Sequence, residues 1–298
     1  MKTIPDYLAQ LRAALAGADP ALMQDALYDA EEYLRSELAE HPEMSEADVI
    51  AAVAGSYGAP GEVAAIYLDT EVKVQTALRA PPPRERSSAL GRFFGVAADP
   101  RTYGAIFYSI LALATGIFYF TWVVTGISIS LGLSVIIIGI PFVILFLGSV
   151  RLLSLVEGRI VEVMLGERMP RRPLYADRDR PVLTRIAEMF TDPRTWSTLL
   201  YMLLMLPLGI LYFLIAVATL SIALSLVLAP PLLLFGAFDG WSMSGGWIGY
   251  WEPASMLGLW ELPLVFACGV VLLFASMHLL RGIGQVHGAI AKQLLVKA

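Results

Sequence analysis

Four tyrosines carry the spacing in this sequence that most invites a binding role. Tyr108 and Tyr119 lie eleven positions apart, close to three helical turns, so they share one helix face. Tyr201 and Tyr212 repeat the arrangement, with Gly116 and Gly209 between the members of each pair. A face of small and hydroxyl-bearing residues can line a ligand pocket between two similar helices. The same face also suits close helix packing through glycine, with tyrosines at an interface. A second group is Asp239 and Glu252 among Trp241, Trp247, Trp251 and Trp260. Two carboxylates in aromatic surroundings can hold a cation or a cationic peptide through cation–π attraction, or belong to a solvated loop anchored by its rings.

The remaining titratable residues propose less. Glu261 and His278 bound the last apolar run, where water and headgroups reach them. His278 and His287 are nine apart and His41 is remote, so no metal-ligand spacing exists. Cys268 is the one cysteine, inside an apolar run, and reads as a buried structural thiol. Glu157 and Glu162, beside Arg159, read as surface charges. There is no Gly-x-x-x-x-Gly-Lys loop, no Gly-x-Ser-x-Gly elbow and no His-Glu-x-x-His helix. The expectation is a protein with no catalytic residue, no metal and no cofactor.

Long apolar runs must position these groups. The 298 residues are 57% hydrophobic and 16% charged, more apolar than ordinary soluble chains. Residues 102–150 and 196–280 contain no Lys or Arg, and 102–150 contains no Asp or Glu either. Such runs read as membrane spans.

Charge is divided unevenly around them. Residues 1–78 carry fourteen acids against four bases, a net of about −10, and the whole chain carries −5. An acidic head does not suit nucleic acid, whose phosphates reward Lys and Arg. The start, Met1 to Asp6, lacks the apolar core of a signal peptide, so the head is expected to stay in the cytoplasm. Helical stripes predict a small bundle: one helix from Asp6 towards Gly17, one over 21–40, one opening at Ser45 as N-cap, and one from about Gly61 to Thr70. Residues 79–98 form a linker with Pro81-Pro82-Pro83. Arg79, Arg84, Arg86, Arg92 and Arg101 make a basic collar beside the first span, suited to anionic lipid.

The membrane region is duplicated. Asp99-Pro100-Arg101-Thr102-Tyr103 recurs as Asp192-Pro193-Arg194-Thr195-Trp196 at an offset of 93, which also relates the two tyrosine pairs. Each copy opens with Asp as N-cap and Pro at the first helical position. Repeat one (99–170) is expected to turn near Thr125–Ser130, return over about 130–150, and continue as an interfacial helix over 152–165. Repeat two (192–298) opens similarly to about Ala218. Its return over 262–280 is delayed by residues 221–260. Residues 221–235 are expected in or on the outer leaflet, because a fifth span would place the basic C-terminus outside. The fold class is therefore all-α: a small cytoplasmic helical bundle (1–78), the linker, and a four-helix transmembrane domain (99–298) of two repeated hairpins. Both termini are expected in the cytoplasm, with the protein in a membrane.

Two resemblances sharpen this picture. The pattern Tyr7-Leu8 … Leu11 … Asp29-Ala30-Glu31-Glu32-Tyr33, then Tyr57-Gly58-Ala59-Pro60-Gly61-Glu62-Val63-Ala64 … Tyr67, resembles the bacterial HAAS signalling domain. The run Asp192 to Trp196, then Tyr201, Leu206-Pro207-Leu208-Gly209 and Tyr212-Phe213, resembles the sensor-domain family of bacterial membrane proteins, with Ala114 standing in the first copy where the second has Pro207. The resemblance implies signalling, from the inner membrane of a bacterium. No kinase module is expected after the last span, so output is expected through the head. The expected function is an integral membrane sensor or scaffold that relays a membrane or extracytoplasmic stimulus. Its expected partners are membrane lipids and a cytoplasmic regulatory protein bound through residues 1–78, and self-association is compatible with the pattern. Alternatives are a small transporter or channel subunit, and a lipid-headgroup enzyme built on Asp239, Glu252, Glu261 or His278.

Overall fold

A computed structural model describes residues 2–78, 88–133, 139–172, 190–234 and 260–296. Among them are nine α-helices, one short 3-10 turn and no strand. Asp239, Trp241, Trp247, Trp251 and Glu252 lie outside the described residues. By contact density the chain divides into two compact units, Met1–Pro82 with Ile117–Met205 and Val286–Ala298, and Pro83–Gly116 with Leu206–Gln285.

The head comprises α1 (Ile4–Ala14), α2 (Pro20–Glu40), α3 (Glu46–Ser56) and α4 (Pro60–Leu78). Ser45 caps α3 as the sequence suggests, accepting from the Asp48 N–H, and Asp19 caps α2, accepting from the Ala21 N–H. Gly17 and Gly58 adopt φ of 88° and 116°, left-handed values that only glycine takes at little cost. Tyr7, Leu11, Leu15, Leu34 and Ile50 form the core, and the Tyr7 hydroxyl donates to the Gly58 carbonyl at 2.8 Å.

Next come α5 (Ala89–Phe94) with its 3-10 turn, then α6 (Pro100–Leu133), α7 (Gly139–Leu165), α8 (Pro193–Leu234) and α9 (Leu262–Leu295). These last four are long and apolar enough to cross a membrane. Both duplicated starts are built alike. The Arg101 N–H donates to Asp99 Oδ1 and the Arg194 N–H to Asp192 Oδ1, each at 3.0 Å. The Tyr103 hydroxyl reaches back to the Ala97 carbonyl, and the Trp196 indole N–H to the Phe190 carbonyl, each at 2.8 Å. Each cap aspartate also receives an arginine from the other copy: Arg281 on Asp99 at 2.7 Å, Arg151 on Asp192 at 3.0 Å.

Several boundaries differ from expectation, for physical reasons. Helix α6 runs straight through Thr125–Ser130 to Leu133. Gly126 there is a packing site, since a Cβ on it would lie 2.0 Å from the Phe146 ring of α7. Residues 221–234 continue α8 without a break. Pro230 and Pro231 fall in its last turns, where few carbonyls lose a partner. Gly269 of α9 lies against the Leu226–Val227 backbone, where a Cβ would come within 2.8 Å. The stretch 152–165 is the end of α7 itself. Cys268 is exposed on α9, because an all-round apolar helix turns apolar residues outward to lipid as readily as inward.

Candidate functional site

The ends of α7 and α9 carry two polar residues that are fully buried, Glu157 and His287, both with no exposed surface. Glu157 is therefore no surface charge. It lies on the α7 face that also buries Val150 and Val161, seven positions before and four after, and that face meets the other helices. The Tyr119 hydroxyl of α6 donates to Glu157 Oε2 at 3.0 Å, and the Tyr201 hydroxyl of α8 to Oε1 at 2.9 Å. Tyr201 Oη is also 3.0 Å from His287 Nε2. With the phenol proton given to the carboxylate, the imidazole must donate, which assigns the Nε2–H form. Four helices thus meet on one hydrogen-bonded chain, His287 to Tyr201 to Glu157 from Tyr119. In surroundings this apolar such a chain holds one arrangement firmly, and a lost member leaves costly orphans.

The structure thus brings together Tyr119 and Tyr201, one from each expected pair. Their companions Tyr108 and Tyr212 are buried in the second unit, as is Gly209. Gly209 permits backbone approach there, since its Cβ would fall 2.2 Å from the Ala112 carbonyl oxygen. Gly116 is buried too. Trp260 is 77% exposed at the start of α9. His278 stacks on Phe93, with its Nε2 3.0 Å from the Phe93 carbonyl oxygen. Among the described residues no cluster of His, Cys, Asp and Glu has metal-binding geometry.

From the buried chain, contacts lead to the head. Helix α7 ends at Gly166 (φ 76°), whose N–H returns to the Glu162 carbonyl. The arm that follows, 166–172, crosses the glycines next to the buried pair. A Cβ on Gly158 would meet Met169 at 3.4 Å, and one on Gly288 would meet Glu167 at 2.6 Å. Met169 is fully buried. Its neighbours Arg168, Arg171 and Arg172 grip Asp25 of α2. Two successive backbone N–H groups, of Arg171 and Arg172, donate to Oδ1 at 2.7 and 2.8 Å. The Arg168 guanidinium donates to Oδ2 at 2.8 Å. Burial pushes the Asp25 carboxyl up, against the pull of those three donors. Arg168 also binds Glu71 of α4 and Glu162 of α7. Arg172 binds Asp29, and Lys292 of α9 binds Asp19. Asp19, Asp25, Asp29 and Glu71 of the acidic head are therefore matched by bases outside it.

Sequence reasoning missed Glu157 and His287, although a signal existed. The ends of α7 and α9 repeat at an offset of 130: Arg151, Val156, Gly158 and Ile160 match Arg281, Val286, Gly288 and Ile290. In that alignment Glu157 falls on His287 and Glu162 on Lys292. A family model described as "Putative sensor" matches residues 108–295, and one described as HAAS matches residues 6–66. No curated protein and no solved structure matches the chain.

Proposed function

Since the chain belongs to the "Putative sensor" family and carries an HAAS domain at its start, we propose that it is a non-enzymatic membrane sensor that reports through its head. In this reading the protein lies in a bacterial inner membrane with four crossings and both termini in the cytoplasm. A membrane or extracytoplasmic stimulus shifts α6 to α9 against one another. The head then presents a changed surface to a cytoplasmic regulatory protein. One observation carries the reading: the arm 166–172 touches the glycines beside Glu157 and His287, and also closes on Asp25. A change in the buried chain therefore has a short physical route to the head. Buried ionisable groups on apolar helices are costly, which favours a functional reason for them.

Hydrogen exchange of the full chain in lipid nanodiscs tests the route without knowledge of the stimulus. Glu157→Gln keeps one acceptor oxygen and so keeps the helices assembled. It is expected to accelerate exchange at 166–172 and in α2. Exchange there that matches the wild type, in a variant whose exchange near 157 has changed, removes the arm from signalling.

A further inference from the structure

A second polar feature lies apart from the buried chain, where α7, the start of α8, the arm and α2 enclose a cavity of about 70 Å³. At roughly 10–15 Å³ for each water-sized group, that is room for about five, the size of a phosphorus and its four oxygens. The chemistry of its wall is cationic. Arg194 lines it, half-buried, and among the described residues no carboxylate lies within ion-pair distance of its guanidinium. Its one resolved side-chain bond is from Nη1 to Gln24 Oε1 at 2.6 Å. Arg151 lines it too. The acid in the wall, Asp192, is already committed, accepting from the Arg194 N–H and from Arg151 Nη2. The cavity therefore keeps a net positive charge, with the hydroxyls of Ser154 and Thr198 beside it. Leu155, Met169 and Leu295 supply an apolar side. Next to that side along α7, Leu152 and Val156 are exposed at 63% and 46%, as residues facing lipid would be.

We propose that this cavity binds a phosphate-bearing anion between Arg194 and Arg151. A half-buried guanidinium with no carboxylate in ion-pair contact is costly, and a phosphate oxygen pair matches its planar fork. The adjoining apolar wall and the exposed face of α7 favour the headgroup of an anionic phospholipid as the source, and a soluble phosphate presents the same oxygens. Gln24 closes the cavity from the head, its Oε1 on Arg194 and its Nε2 on the Arg172 carbonyl. The occupant therefore bears on how the head is held. Binding itself does not depend on the sensor reading, and either can fail without the other.

The test is lipid retention by the full chain, read by native mass spectrometry after reconstitution with phosphatidylcholine, with or without phosphatidylglycerol. The wild type is expected to keep bound phosphatidylglycerol. Arg194→Gln is expected to lose affinity by about tenfold, the effect of one charge-assisted contact. Arg194→Lys keeps the charge at its place and is expected to fall between them, which guards against a folding defect in the first variant. Arg92→Gln, in α5, should retain lipid as the wild type does. Inorganic phosphate that binds the wild type in phosphatidylcholine alone, and is lost in Arg194→Gln, assigns the site to a soluble anion. Equal retention by the wild type and Arg194→Gln, with no phosphate binding by either, overturns the proposal.

Discussion

The tails of α7 and α9 are two versions of one design. Each places an arginine on the cap aspartate of the other copy, Arg151 on Asp192 and Arg281 on Asp99. Six positions on, each buries a polar side chain, and the next residue is a glycine that lets the arm pass. The two tails differ in charge. Glu157 in one is His287 in the other, and Glu162 in one is Lys292 in the other. The acidic tail receives the phenols and holds the arm's arginines. The basic tail donates to Tyr201 and holds Asp19 of the head. The two differences make the copies complementary rather than alike: carboxylate against neutral imidazole at one position, and opposite charges at the other. An identical pair of carboxylates would repel across Tyr201, and a histidine at 157 would offer one acceptor nitrogen where Glu157 offers an oxygen to each of two phenols.

The largest break in this complementarity should come at the acid. Glu157→Ala removes the acceptor from two buried hydroxyls, at about 1–3 kcal/mol each, so a loss of about 2–6 kcal/mol is expected. His287→Ala removes one donor from a hydroxyl that keeps Glu157, and should cost less. The exchange Glu157→His with His287→Glu restores one donor and one acceptor across Tyr201, and should recover part of the loss in either single variant. Thermal unfolding of the four proteins in one detergent checks the order. A double variant no better than the worse single one would mean that the tails are not interchangeable.

The second differing position, Glu162 against Lys292, is more exposed and should matter less. Glu162 is 14% exposed and meets Arg159, Arg168 and Arg171, whereas Lys292 is 26% exposed and meets Asp19 and Glu167. Glu162→Lys therefore sets a new cation among three arginines and should loosen the arm by about 1–3 kcal/mol. Lys292→Glu, facing two acids through more water, should cost nearer 1 kcal/mol. Limited proteolysis within 166–172 reads both. Faster cutting in Lys292→Glu than in Glu162→Lys would reverse the assignment of which tail holds the arm.

Much of this was legible in the sequence. The head helices, their caps and the repeated starts all follow from local chemistry: Ser45 before Glu46, Pro after Asp99 and Asp192, and Gly58 where φ must be positive. The offset of 93 stands out because Asp-Pro-Arg-Thr is an uncommon string. The offset of 130 does not, since it resumes after an insertion of 37 residues and survives mainly in Arg, Val, Gly, Ile and Leu on apolar helices. Divergence at Glu157 and His287 then hid the most informative pair. Helix ends were misjudged for a related reason. Gly126 looks like a turn signal by type, yet in apolar surroundings a helix keeps its own hydrogen bonds and uses such a residue for close approach.

The finest difference between the tails lies in the two glycines, and it gives the smallest expected effect. A methyl on Gly158 would sit 3.4 Å from the Met169 Cβ, an ordinary contact. Alanine also favours a helix over glycine by about 1 kcal/mol, so Gly158→Ala should be neutral or slightly stabilising. A methyl on Gly288 would sit 2.6 Å from the Glu167 Cγ, close enough that the Glu167 side chain must shift. Glu167 is not a hub of the clamp, lying 4.0 Å from Lys292, so the shift should use up the helical gain and little more. The expected result is a lower melting temperature for Gly288→Ala than for Gly158→Ala, with faster exchange at 166–168 in the former alone. If both variants melt together and exchange alike, the arm does not bear on the two tails differently, and their asymmetry is one of charge and not of contact.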